Sequence, residues 1–197
     1  MAIRRPHHWS TWAFVAIVTV AIGAIVATRD GDSEPAPVDV EATSIYQFAS
    51  LDEMVAASDA IVVGRVSATE RGRLVGDPAN GGVISRLVTV TVDEVLAGVV
   101  GATIVVEEEG WLTDNTPITV NGVAASEVGD EGLWFLDLND DAELPSFLVI
   151  NSQGRFLFAG DGAVRGGDQR DALVQQLQRL SSTQLVTSAR SSVANVR

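Results

Sequence analysis

The residues whose types and spacing come nearest to a metal site lie in one acidic stretch. Asp137, Asn139 and Asp141 match the first three ligand positions of a calcium-binding loop, which places oxygen-bearing side chains at alternate residues. The match ends there, because Ala142 stands where that loop requires glycine and Leu148 stands where it requires a bidentate acid. The sequence therefore favours a plain acidic hairpin loop, with weak calcium binding as the alternative.

Two large side chains, Trp111 and Arg155, are candidates for contact with a partner. Trp111 follows an acidic run and a glycine, so it either anchors a protein or a sugar or, as the pattern favours, packs over a barrel end. Arg155 either binds an anionic ligand or, more simply, forms an ion pair with a surface acid. The acidic run itself, residues 107–109, offers a cation site or a general base. Because neighbours in a strand point to opposite faces, a solvated strand end is favoured there.

The residues that the chain lacks restrict its chemistry. There is no cysteine, which excludes disulfides, thiolate metal sites and thiol nucleophiles. The two histidines, His7 and His8, both precede a long apolar segment. A domain beyond that segment therefore has no Ser-His-Asp triad and no histidine-ligated metal. These exclusions predict that the protein is not an enzyme and has no cofactor.

The charge balance is strongly acidic. The 197 residues include 26 acidic and 13 basic side chains, and every basic one is arginine. Removing Arg4, Arg5 and Arg29 leaves 10 arginines against 26 acids, so the part beyond the apolar segment has a formal charge near −16. Such a surface repels phosphate backbones, which argues against nucleic acid as a partner. The use of arginine without lysine indicates a GC-rich, actinobacterial-like genome.

Residues 9–28 form an uncharged, mostly apolar run that predicts a transmembrane helix. About 20 residues of helix span roughly 30 Å, which is the hydrocarbon thickness of a bilayer. The basic residues lie in the flank 1–8, so this flank is predicted to be cytoplasmic and the remainder extracytoplasmic. The run is longer than the core of a usual signal peptide, which favours an uncleaved signal anchor over a secreted, cleaved product. Residues 29–42 are rich in Gly, Pro and acids, and they predict a flexible linker.

The remaining chain predicts a mainly β domain at 43–165, followed by a C-terminal helix and a poorly ordered or weakly helical tail at 166–197. Residues 50–58 predict a short N-terminal helix, and six or seven short strands with turns every 8–12 residues then indicate a barrel or a sandwich. Residues 147–150 and 155–158 are interpreted as a hairpin. The C-terminal amphipathic helix is predicted to begin at Asp168 and to present an apolar stripe formed by Leu173, Leu177 and Leu180.

Three stretches carry a resemblance to known proteins: SDAIVVGRV (58–66), VTVDEVLAG (90–98) and VGDEGLWFL (128–136). Their order resembles a pattern in exported bacterial proteins of unknown function. The pattern is also similar to the OB-type barrel of tissue inhibitors of metalloproteinases and netrin-like domains. The resemblance covers roughly residues 50–160 and implies an OB-like, closed or partly open barrel of five to seven strands. The chain lacks the N-terminal cysteine through which those inhibitors contact a metal, so inhibition of metalloproteinases is not implied.

Together these features predict a membrane-anchored, extracytoplasmic β-barrel that acts as a binding or assembly module of the cell envelope. The expected partners are the membrane, through residues 9–28, and an envelope protein or glycan. Two alternatives stay open. One is a glycan-acting enzyme that uses only carboxylates, and the other is a structural surface protein steadied by calcium.

Overall fold

The computed structural model describes residues 36–40, 47–77, 82–140 and 145–196. The strands are β1 (Val38–Val40), β2 (Ala60–Val75), β3 (Val83–Ala97), β4 (Thr103–Leu112), β5 (Ile118–Val120), β6 (Glu131–Leu138), β7 (Phe147–Val149), β8 (Arg155–Phe158) and β9 (Val164–Gly166). The helices are α1 (Leu51–Ala57), α2 (Ala172–Leu177) and α3 (Ser182–Val196). The predicted transmembrane run 9–28 lies outside these residues. Within them, no helix is long and apolar enough to cross a membrane.

Five strands close into a barrel, which confirms the predicted mainly β architecture. They pair in the order β2-β3-β4-β7-β6, and β6 then pairs with β2 to complete the circle. Every contact is antiparallel except the one between β4 and β7. Beyond the closed ring, β8 pairs with β6 and β9 pairs with β8.

Alternation along the strands fills two separate cores. The barrel interior is lined by buried side chains that recur at every second position of β3, β4 and β6, among them Val88, Val90, Ile104, Val106, Trp134 and Leu136. On the outer face, Phe135 and Phe156 meet edge to face, with ring centroids 6.2 Å apart. The helices cover this outer layer, and Met54, Val174 and Leu185 are buried in it.

The predicted hairpin at 147–158 is wrong. β7 pairs with the C-terminal half of β6, β8 pairs with its N-terminal half, and both pairings are antiparallel. The chain therefore continues along one edge of β6 instead of reversing. Residues 151–154 loop out between β7 and β8. Both ends of this loop bond the backbone of Phe135: the Ile150 amide donates to the Phe135 carbonyl, and the Phe135 amide donates to the Gly154 carbonyl. Turn-forming residues mark a bulge here, which their composition does not distinguish from a hairpin turn.

The helix ends agree with the sequence only in part. Ser50 caps α1 by accepting a hydrogen bond from the Glu53 amide at 3.2 Å, as predicted. α2 is capped by Asp171, whose carboxylate accepts from the Val174 amide at 2.9 Å. The predicted cap, Asp168, instead accepts from the backbone amide of Arg170.

Two segments are more structured than predicted. The expected tail after Leu180 forms the 15-residue helix α3, which buries the small residues Ala189 and Ser192 beside Leu185. Part of the expected flexible linker forms β1, which pairs in parallel with β5. The Asp39 carboxylate supports β1 by accepting from the Thr119 hydroxyl at 2.8 Å and from the Gly122 amide at 2.7 Å.

Candidate functional site

A buried ion pair lies at the end of the barrel interior. Glu108 has the same strand parity as Ile104 and Val106, so its side chain continues the inner face of β4. Arg155, which lies opposite Trp134 in the sheet, donates from Nη1 to the Glu108 carboxylate at 2.8 Å. The same carboxylate also accepts hydrogen bonds from the Ser126 hydroxyl at 2.7 Å and from the Ser126 amide at 3.1 Å. The charge of Glu108 is therefore fully engaged inside the protein.

Arg155 makes further contacts that hold it in place. Its Nη1 also donates to the Ser126 hydroxyl at 2.8 Å, and its Nη2 donates to the Ala124 carbonyl. The residue is 6% exposed. Arg155 therefore forms an ion pair, as the sequence favoured, but with a buried acid and not with a surface one. It also lines a cavity of about 220 Å³, together with the exposed Arg165 and the backbone of Gly166 and Gly167.

Trp111 lies beneath two other guanidinium groups at the same barrel end. The central guanidinium carbon of Arg86 is 4.5 Å from the indole centroid, and that of Arg71 is 4.8 Å from it. Cations at this distance from an aromatic face are attracted by its negative quadrupole. Arg71 also donates to the Asn115 side-chain carbonyl at 2.9 Å. We call Arg71, Arg86 and Trp111 the Arg–Trp end.

A β-bulge brings the three side chains together. Arg71 and Arg86 are directly paired on β2 and β3, so their side chains share a face. On β4 the pairing with β3 slips by one residue at Gly110, because Glu109 opposes Ser85 while Trp111 opposes Ile84. A Cβ on Gly110 would lie 2.8 Å from the Ile84 carbonyl oxygen, so the close approach requires glycine. The slip puts the Trp111 ring beneath the two guanidinium groups.

Neither arginine of the Arg–Trp end has a carboxylate partner among the described residues. In the described ranges Arg71 donates to the neutral Asn115 side chain, and Arg86 donates to the Ser126 carbonyl at a long 3.4 Å. The Nε of Arg86 is buried and makes no hydrogen bond within the described part of the chain. Two guanidinium groups thus lack an ion-pair partner in the described part of a protein whose formal net charge is −13.

The expectation of a solvated strand end at 107–109 is wrong for two of the three glutamates. Glu107 and Glu108 are 7% and 8% exposed, and only Glu109 is exposed. On the outer face of β4, Glu107 accepts from Arg73 Nε at 2.9 Å and from the Asn139 amide at 2.7 Å. Burial alone would raise the pKa of Glu107, but the hydrogen bonds from Arg73, Ser85 and Asn139 and the charge of Arg73 together lower it.

The two described calcium candidates have different partners. The Asn139 amide nitrogen is used by Glu107 and by the Ser146 hydroxyl. Burial and the adjacent carboxyl of Asp59 raise the pKa of Asp137 to about 7. The third candidate, Asp141, lies outside the described residues. In the described ranges no group of three or more His, Asp or Glu side chains is arranged to hold a metal ion.

No family model matches this sequence, and no curated protein gives a significant match. The candidate site is therefore defined by its geometry. Of its residues, the sequence pointed to Trp111 and Arg155 but missed Arg71 and Arg86. A signal for them was present, since each is an arginine in the distal half of a long β-hairpin. Only the register shows that they share a face.

Proposed function

We propose that this chain is a membrane-anchored, extracytoplasmic OB-type barrel that binds a partner in the cell envelope through its Arg–Trp end. The OB-type assignment is supported by the five-stranded closed ring and its one parallel pairing, which agree with a Greek-key barrel of that class. The location is supported by the predicted membrane segment 9–28 and by its basic flank.

One observation carries the proposal: two arginines lie over one half-buried tryptophan without a carboxylate partner among the described residues. Most arginines near acids in such an acidic protein would be expected to form ion pairs, as Arg65 does with Glu131 and Arg190 does with Glu94. Tryptophan and arginine are also the residues that most often dominate binding energy at protein interfaces. The arrangement suits recognition of a ligand that supplies negative charge.

The same geometry favours binding over catalysis. Within the site the carboxylate of Glu108 accepts from Arg155 and from both donors of Ser126, so it is a poor candidate for a general base. The Arg–Trp end supplies charge, hydrogen-bond donors and an aromatic face. These groups select and hold a ligand.

A photocrosslinking experiment in the source cells tests this function. A photoreactive amino acid replaces Thr113, which is exposed beside Trp111, or Val99, which is 98% exposed in the turn between β3 and β4. We expect a discrete adduct with an envelope component from position 113, and we expect no such adduct from position 99. The adduct should also disappear in the Arg71→Gln/Arg86→Gln variant. Identical adducts from both positions, or none from position 113, would contradict the proposal.

A further inference from the structure

We propose that the Arg–Trp end binds an extended acidic peptide, which adds as a strand to the free edge of β2. This inference rests on the proposed binding function and names the chemistry of the ligand. It joins two independent observations: two guanidinium groups that have no carboxylate partner among the described residues, and a strand edge beside them that no described strand pairs with.

The charge at the Arg–Trp end is complementary to a carboxylate. Glu108, which lies opposite Arg86 in the sheet, is already paired with Arg155. Arg71 and Arg86 therefore face each other across β2 and β3 with like charges, an arrangement that is unfavourable between directly opposed strand residues. An external carboxylate between them would remove this repulsion. A guanidinium group presents a planar fork of donors that matches a carboxylate in geometry.

The adjacent edge of β2 is available to an extended chain. β6 pairs with β2 only as far as Arg65, and the loop at Gly129 and Asp130 then bonds Val66. Beyond Val66 no described strand pairs with β2 on the side away from β3. The stretch 68–71 keeps a regular register with β3 and lies between two bulges, so its outer N–H and C=O groups are regularly spaced. Such an edge is a template for a further strand.

The side chains at this edge select an acidic strand. Charged residues on an edge normally keep foreign strands away. Arg71 and Thr69 lie on one face of β2, whereas Glu70 points to the opposite face because strand side chains alternate. The face toward Arg86 and Trp111 therefore presents positive charge without Glu70. A peptide with an acid at every second position would place its carboxylates on this face and its other side chains on the far one.

Fluorescence anisotropy with labelled peptides tests the proposal on the full chain in mild detergent. The probes are a short peptide of alternating Glu and Val and its Lys-Val analogue. We expect only the Glu-Val peptide to bind. The Arg71→Gln/Arg86→Gln variant should bind it at least about tenfold more weakly, since two charge-assisted contacts are lost. The matched control Arg179→Gln removes an exposed arginine outside the site and should leave binding unchanged.

N-methylated peptides test strand addition without altering the protein. A strand pairs with an edge through alternate amides, so N-methylation of one alternate set should abolish binding and methylation of the other set should not. Equal effects of both sets, binding of the Lys-Val peptide, or equal weakening by Arg179→Gln would overturn the inference. Tighter binding of an oligouronate than of the Glu-Val peptide would also overturn it, in favour of a glycan. A crosslink from position 113 without peptide binding would leave the proposed function standing and refute only this inference.

Discussion

Arg155 and Glu108 form an ion pair with an N–O distance of 2.8 Å, and their side chains are only 7% and 6% exposed. The two residues are 47 positions apart in the chain, and they join β8 to β4 across the end of the barrel interior. The pair sits directly beside Arg86, which lies opposite Glu108 in the sheet. The ion pair therefore packs against the Arg–Trp end and also joins two strands of the sheet.

Arg155→Met is predicted to destabilise the protein strongly. The substitution leaves the Glu108 carboxylate buried without its cation, and removing one partner of a buried pair typically costs about 3–5 kcal/mol. Replacing both residues, as in Glu108→Leu/Arg155→Met, should recover much of this loss because no buried charge remains. Urea unfolding of the three proteins measures these differences in the free energy of unfolding.

Arg190→Met is the matched control for this prediction. Arg190 also pairs with a glutamate at 2.8 Å, but the side chains of Arg190 and Glu94 are 54% and 42% exposed. Solvent screening limits such a pair to about 1 kcal/mol or less. Equal destabilisation by Arg155→Met and Arg190→Met would show that the buried pair has no special role.

The contrast between these pairs explains what the sequence could predict. Alternation of Val88, Val90 and Val92 identifies a strand because periodicity is a local property. The burial of Glu107 and Glu108 depends on Arg73, Arg155 and Asn139, which are distant in sequence, so the acidic run itself gave no indication of it. Charge is a guide to exposure only when no partner is brought to it by the fold.

Two elements, α3 and β1, were not predicted from the sequence because their local patterns are weak. α3 buries Ala189 and Ser192 against the rest of the domain, and its sequence therefore lacks the strong apolar stripe by which a helix is recognised. β1 is three residues long and lies in a segment rich in Gly, Pro and acids. In both cases tertiary contacts, not local pattern, determine the structure.

Asp137→Asn is predicted to raise stability near neutral pH. The folded state holds the pKa of Asp137 at about 7, against an ordinary aspartate value of 3.8, because burial and the Asp59 carboxyl disfavour its charge. The folded protein therefore retains a proton that the unfolded chain releases. Stability from this group is fully present below the unfolded pKa and is lost as the pH rises from about 4 to about 7. Asparagine carries no charge and should not show this loss.

Thermal melts across this pH range measure the effect. We expect the variant to gain about 0.5–2 kcal/mol over the parent near pH 8 and little near pH 4. Asp93→Asn, which alters an exposed acid on β3, is the control and should leave the pH profile unchanged in shape. If the stability difference between Asp137→Asn and the parent were the same at every pH, the raised pKa of Asp137 would be contradicted.

Asp39→Ala is predicted to release β1 from β5 without unfolding the barrel. The substitution removes the acceptor for the Thr119 hydroxyl and the Gly122 amide. Each lost hydrogen bond to a charged acceptor is worth about 1.5–3 kcal/mol. Hydrogen exchange should therefore accelerate about tenfold or more at the amides of Val38 and Asn121, which bond across this strand pair.

Asp161→Ala provides the comparison for β1. Asp161 accepts a hydrogen bond from the Ala163 amide at 3.0 Å in a turn between β8 and β9. This variant should accelerate exchange only in its own turn. If Asp39→Ala leaves the Val38 and Asn121 amides protected, the strand pair does not depend on this carboxylate.

Labelling of single cysteines tests the predicted membrane topology, and the absence of native cysteine makes the experiment direct. In intact cells a membrane-impermeant maleimide should label the Val99→Cys variant, because Val99 is 98% exposed in the domain predicted to lie outside. The Ala2→Cys variant should be labelled only after lysis, since the basic flank is predicted to remain in the cytoplasm. A cleaved signal peptide would leave no label in the mature Ala2→Cys protein under either condition. Labelling of Val99→Cys only after lysis would place the barrel in the cytoplasm, and the partner of the Arg–Trp end would then have to be sought there.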